Sequence, residues 1–324
     1  MSAIQLLIEG KDMSSEVGIS SAVHDTYAGE YVDTLVLGLL DKDGTWSKWR
    51  PKTGEKLELK LETARTGMMY IHQVCAQNGI YKVTARSIPP YKNSVRKCEW
   101  ESIGFLQICQ DVAGKLGLSF ESHGATDHTY KRMFQQNESD TAFLMRLCHM
   151  EGCEMTIFDG KLVVYDETQM ENQTPLKSYE FTGEGDFTFF RDDSQKVGSV
   201  RVVRTRKENA CGRKDTELGD KFDIDERIMA DGTAAAGEGR LITYPDLIPN
   251  DNSEAQRWAQ GLLHNANKFL ATGRYKLSLQ LDLAAGSVIS ISNSRATEWN
   301  GPVFLYRVKH DYGNQISTMY FRKI

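Results

Sequence analysis

Residues 134–165, FQQNESDTAFLMRLCHMEGCEMTIFDGKLVVY, constrain the fold most, because a helical hydrophobic period gives way there to a strand period. Phe143, Leu147 and Met150 share one face of a helix. Asn137 is expected to cap that helix through its side-chain oxygen. Glu138 and Asp140 then sit in the first turn, where the helix dipole favours negative charge, and Gly152 supplies a left-handed stop. Cys153, Met155 and Ile157 next alternate with Glu154 and Thr156, Asp159-Gly160 favours a two-residue turn, and 161–165 returns as a second strand. A compact αββ unit is predicted.

On either side the pattern is rich in strands. Strands are expected at 4–9, 30–40, 56–62, 68–76 and 80–86, so that 1–95 forms a small β-barrel. Helical spacing takes over at 101–116, where Ile103, Leu106, Ile108, Val112, Ala113 and Leu116 recur and Gly117 provides the stop. With a short strand at 118–121 and the αββ unit, residues 96–172 make an α+β domain. The polar run 166–175, DETQMENQTP, reads as a linker. Strands return at 178–182, 197–206, 274–280, 287–292, 303–310 and 316–322, so 173–324 is expected to form a second barrel. Two insertions interrupt it: residues 208–239, rich in Gly, Asp and Ala, and a helix at 253–270. That helix would be capped by Ser253, striped by Trp258, Leu262 and Phe269, and ended by Gly273. The fold class is therefore α+β, mainly β, with two barrels around a helix-hairpin domain.

Composition excludes some roles. A chain of 324 residues that is 40% hydrophobic and 26% charged can bury a core and fill two or three domains. It has no run of about 18 apolar residues, and its first residues lack a basic flank, so neither a membrane span nor a signal peptide is expected. A net charge of -5 argues against gripping nucleic acid. Cys75, Cys98, Cys109, Cys148, Cys153 and Cys211 are scattered, which suits reduced thiols in a cytoplasmic compartment better than a disulfide framework.

Motifs for chemistry are weak. In CHMEGC, Cys148 and His149 are adjacent on a helix and point different ways, so a metal site with Cys153 is not assigned. Asp220, Asp223, Asp225 and Glu226 lack the order of a calcium loop and read as a solvated loop, as Asp41-Lys42-Asp43-Gly44 reads as a turn. His72 and Cys75 would face apart on a strand. Gly198-Ser199 lacks the second glycine of a nucleophile elbow, and Gly183 and Gly185 precede no helix. No catalytic residue, cofactor or metal is expected. Arg201, Arg204, Arg206 and Lys207 form the one basic cluster; a DNA contact is the sharp reading, set against an edge or solvated strand face and against a subunit contact in which the arginines meet carboxylates of a neighbouring protomer.

The αββ segment resembles the baseplate hub family of contractile phage tails, also called the late-control D family, in which a Q-x-N-E-S-D run opens a helix x-A-F-L-x-R-L ending in E-G. The matching residues are Gln135, Asn137, Glu138, Ser139, Asp140, Ala142, Phe143, Leu144, Arg146, Leu147, Glu151 and Gly152. The carboxyl-terminal T-G-x-Y-x-L-x-L, A-G-S-V-I-x-I and Y-R-V-K-H-D-Y runs are similar to the family as well. The resemblance implies two tube-type barrels per chain and a homotrimer that mimics a hexamer. It also implies a tail tube or tube-initiator protein above, a spike below, other baseplate proteins around it, and DNA or cargo only passing through the lumen. The rival readings are a tail-associated cell-wall hydrolase and a transcription factor. The first needs a domain for which 208–239 is the only spare sequence, and the second needs a basic recognition helix.

Overall fold

A computed structural model describes residues 4–181, 186–209 and 224–324. Alternating leucines build the first part. Leu35, Leu37 and Leu39 of the Thr34–Leu40 strand and Leu57, Leu59 and Leu61 of Lys56–Leu61 are at most 5% exposed, meeting Leu6 and Ile71 in one core. Each such burial stabilises by about 1.5–3 kcal/mol. Asp41 closes the turn after the first of these strands. Its carboxylate accepts from the Trp46 amide at 2.8 Å and the Ser47 hydroxyl at 2.6 Å, fixing the short helix α1, Thr45–Trp49.

The first and last parts share one 14-stranded sheet, where two separate barrels were expected. Its main path runs Asp186–Arg191, Ala271–Ser278, Ile316–Lys323, Gly301–Asp311, Ile19–Tyr27, Thr34–Leu40, Ile80–Arg86, Met69–Gln77, Lys56–Leu61, Gln5–Ile8, Lys11–Asp12. The seam is the antiparallel pairing of Ile19–Tyr27 with Gly301–Asp311, in which His310 stands opposite His24. Asp25 accepts from Arg307 Nε at 2.8 Å and Nη2 at 2.6 Å across it. Ile19–Tyr27 lacks a clean apolar alternation, and it uses one edge for Thr34–Leu40 and the other for Gly301–Asp311. A strand has two edges, so this strand cannot also close a barrel within its own part. Among the described residues no pairing joins the two ends of the sheet.

Between these parts lies a ribbon of Val95–Gly104 with Thr129–Ser139, followed by helices α2, Phe105–Leu116, and α3, Asp140–Met150. The α2 stop is Gly117, at φ 78°. The αββ unit departs from expectation at its start, because 134–139 continues the ribbon as strand. Asn137 sits at a bulge with φ 53°, and Ser139 caps α3 by accepting from the Ala142 amide at 3.3 Å. Glu138 instead pairs with Arg146 at 2.6 Å. The rest follows the pattern: Phe143, Leu147 and Met150 are buried, Gly152 has φ 69°, and the Asp159-Gly160 turn joins Cys153–Phe158 to Lys161–Asp166. Ser119–His123 adds a parallel third strand.

Residues 197–209 do not join the large sheet. They pair with Ile224–Ala235 and Arg240–Tyr244 in a separate three-stranded sheet, so much of the expected insertion is strand. Helix α5, Asn252–Asn267, lies on it; its cap is Asp251, which accepts from the Glu254 amide at 2.9 Å, and Gly273 lies inside the following strand. Val200, Val202, Ala255, Trp258 and Ala259 share one core with α2 and α3. The helices meet closely: a Cβ at Gly261 of α5 would stand 2.5 Å from the His149 and Met150 carbonyl oxygens. A third core gathers Phe181, Trp299, Phe321 and neighbours under the last strands.

Candidate functional site

The run expected to be a linker carries a buried charge cluster. Asp166 accepts from the Gln169 amide at 2.7 Å and starts helix α4, Glu167–Glu171. Glu167 and Glu171, four residues apart, therefore share one face, and they are 3% and 8% exposed. Facing them are Arg322 of the last strand, His264 of α5 and Lys268 just after α5. Arg322 Nη2 donates to Glu167 Oε1 at 2.6 Å, while its Nη1 pairs with Glu171. Lys268 Nζ lies 3.4 Å from Glu167 Oε1 and pairs closely with Glu154. His264 Nε2 stands 3.3 Å from Glu167 Oε2 and 3.6 Å from Glu171 Oε1, and His149 Nε2 is 2.8 Å from Glu154 Oε1.

Three buried carboxylates thus face a guanidinium, a lysine side chain and two histidines. Burial alone would raise the Glu167 pKa, but the His264 contact and the charges of Lys268 and Arg322 outweigh it and lower it to about 2. Arg322 also lies over the Phe304 ring, 4.7 Å from its centroid, as a weakly hydrated guanidinium can. Among the described residues, Glu167, Glu171 and His264 form the one His/Cys/Asp/Glu group with donor atoms mutually within 4.8 Å. Arg322 and Lys268 already neutralise those carboxylates, which opposes a metal ion there. The arrangement acts as a clamp: it ties the hairpin, α4, α5 and the last strand of the large sheet together through groups that cannot be left singly unpaired. Glu154 belongs to it although it alternates with core residues in a strand, because at that end of the hairpin, where Glu154 pairs with Tyr165, the second face is buried too. The spacing of Glu167 and Glu171 behind an Asp cap was the available sequence signal.

The residues singled out in the sequence are otherwise dispersed. Arg201 Nε and Nη2 donate to Asp231 at 2.9 and 2.5 Å, so for this arginine the carboxylate comes from its own chain. That bond lowers the Asp231 pKa. Arg204 Nη1 donates to the Pro249 carbonyl at 3.3 Å. Arg206 lies on the same strand opposite Arg227, and its side chain, with that of Lys207, is outside the described residues. Cys148 and Cys153 are buried, with both thiol pKa values pushed up, that of Cys153 mainly by burial. His72 Nε2 contacts the Ile88 carbonyl at 2.8 Å while Cys75 is exposed. Cys211, Asp220, Asp223, Gly183 and Gly185 lie outside the described residues; Asp225 and Glu226 are in a strand opposite Glu208 and Lys207.

The whole-chain arrangement recurs in solved structures. A 43 kDa tail protein of prophage MuSo2 from Shewanella oneidensis is similar at a TM-score of 0.71 and 11% identity, over 99% of this chain and 98% of that one. A tail protein from Neisseria meningitidis gives 0.72 and 11%, over 99% and 96%. The chain has the same fold as these two tail proteins. A type VI secretion component of Escherichia coli shares the tail-protein fold at 0.54 and 11% identity, over 98% of this chain and 75% of its own. No family model matches the sequence. A curated relative, the DNA-directed RNA polymerase subunit beta of Alkaliphilus metalliredigens, is 36% identical over 111 residues; the match takes in 29% of this chain and 9% of that subunit's length. Within the tail-protein fold the clamp sits where the middle unit meets the large sheet. No helix among the described residues is long and apolar enough to cross a membrane.

Proposed function

We propose that this chain is a structural subunit of the baseplate hub of a contractile phage tail or tail-like particle. Three copies form a ring, with residues 1–95 and 173–324 as two tube-type units, 96–172 as an external brace, and Val200, Val202 and helix α5 packed onto that brace. Six units around a threefold axis match a sixfold tail tube or tube-initiator protein above and a threefold spike below, with other baseplate proteins around the rim. DNA or cargo only passes through. The particle is assembled in the bacterial cytoplasm, and the role is not enzymatic.

The seam between Ile19–Tyr27 and Gly301–Asp311 carries this reading, because it makes two strand-rich halves of one chain into adjacent segments of a single wall. The end strands Asp186–Arg191 and Lys11–Asp12 each leave an edge without a strand partner among the described residues, and such edges can join neighbouring copies. The solved structures of similar fold, two tail proteins and a type VI secretion component, support it in kind. In the ring, Arg204 and Arg206 face a neighbouring copy, while Arg201 stays with Asp231. Native mass measurement with negative-stain imaging tests the assembly. A trimer with threefold symmetry and a central hole is expected, weakened by joint Arg204→Glu and Arg206→Glu substitution; a compact monomer at every concentration rejects the ring.

A further inference from the structure

A second feature lies beside the seam, away from the exposed sheet edges. A cavity of about 470 Å³ opens between Ile19–Tyr27, the αββ hairpin and the 281–286 loop, a size in the range of small-molecule sites. Its wall is mostly apolar, with Phe158, Val163, Met170, Leu281, Leu283 and Tyr312 contributing. Two side chains of that wall, His24 and Tyr165, are 3% and 4% exposed and each carries a buried polar atom without a partner among the described residues, His24 Nε2 and the Tyr165 hydroxyl. A buried polar group left unpaired costs about 1–3 kcal/mol, and native interiors hold few of them. Two in one cavity need a common explanation.

The surrounding groups define what would satisfy them. His310, opposite His24, is already engaged: its Nε2 donates to the Leu283 carbonyl at 3.1 Å, so its Nδ1 accepts from the Ser317 hydroxyl at 2.8 Å. Burial holds both histidines in the neutral form, and the His24 pKa falls to about 3. Basic groups at the rim are occupied as well, Arg65 by Asp159 at 2.9 Å and His123 by Glu121 at 3.1 Å. An anion therefore finds no free cation in the wall, whereas a hydroxyl complements either orphaned group because it both donates and accepts.

We propose that this cavity binds a small uncharged amphiphile, an apolar ring system bearing a hydroxyl, with His24 and Tyr165 as its polar contacts. The test is isothermal titration with saturation-transfer NMR on the full chain, using 2-naphthol and 2-naphthoate as probes. Saturable 2-naphthol binding at one site is expected, with 2-naphthoate at least about tenfold weaker. Tyr165→Phe and His24→Phe should each weaken 2-naphthol about fivefold, the worth of one hydrogen bond. Ala285→Phe, which fills the cavity from its loop, should weaken it more. Tyr165→Phe removes a buried hydroxyl that bonds nothing in the protein, so its melting temperature should equal or exceed the parent's, which separates lost binding from lost folding. Failure of 2-naphthol to saturate, equal binding of the naphthoate, or undiminished binding in Tyr165→Phe and Ala285→Phe would each overturn the proposal and leave water as the occupant.

Discussion

Replacing Glu167 by Gln tests whether the charge cluster holds the middle unit to the large sheet. The Glu167 pKa lies at about 2 against an ordinary 4.5, a difference of about 2.5 units, or roughly 3 kcal/mol in favour of the folded state at neutral pH. Breaking a buried ion pair by removing one partner costs about 3–5 kcal/mol, a second route to the same magnitude. A carboxyl with a depressed folded pKa contributes fully above its unfolded pKa and loses that contribution as pH falls toward the folded one. The gap between parent and variant should therefore be about 3 kcal/mol at pH 7, less than about half of that at pH 3 and nearly gone at pH 2. By calorimetry the pH 7 gap corresponds to a drop of roughly 6–12 °C in melting temperature. A drop below about 2 °C at pH 7, or a gap that stays constant down to pH 3, would show that Arg322 and Lys268 do not depend on this carboxylate.

Two backbone positions give further tests. Ser139→Ala should cost about 1 kcal/mol through loss of the α3 cap, while Asn137→Gly should leave stability within about 0.5 kcal/mol, since its φ of 53° suits glycine; denaturant midpoints decide, and the reverse order would restore Asn137 as the cap. Gly261→Ala should cost more than 1–3 kcal/mol because its Cβ meets backbone oxygens at 2.5 Å, and a soluble variant with an unchanged midpoint would show that α5 can slide on α3.

What the sequence revealed was local. Gly117, Gly152 and Asp159-Gly160 punctuate the chain where they stand, and Phe143, Leu147 and Met150 mark a buried face, because stop signals and periodicity act within a few residues. The cap moved by two positions since the ribbon partner Val95–Gly104 keeps 134–139 extended, and that partner lies 44 residues upstream at the Arg96–Asp140 contact. The clamp was hidden for the same reason at longer range. Glu167 meets Arg322 across 155 residues, and Glu154 meets Lys268 across 114. A polar run reads as linker when its counter-charges lie that far away.

The seam is the extreme case and changes what the strands mean. Asp25 and Arg307 are 282 residues apart, yet their pairing decides that the first and last parts form one wall instead of two barrels. No turn motif can encode such a contact, and the entropy of closing so long a loop must be met by partners brought close by other contacts. The clamp supplies those contacts: Arg322 sits on the strand next to Gly301–Asp311 and is held by Glu167 and Glu171 of the middle unit. The middle unit thereby holds the last strands within reach of Ile19–Tyr27. Loss of Glu167 should accordingly loosen the seam as well as α4, seen as faster amide exchange at Val308 and His310 than at Leu37, which lies in the first part's own core.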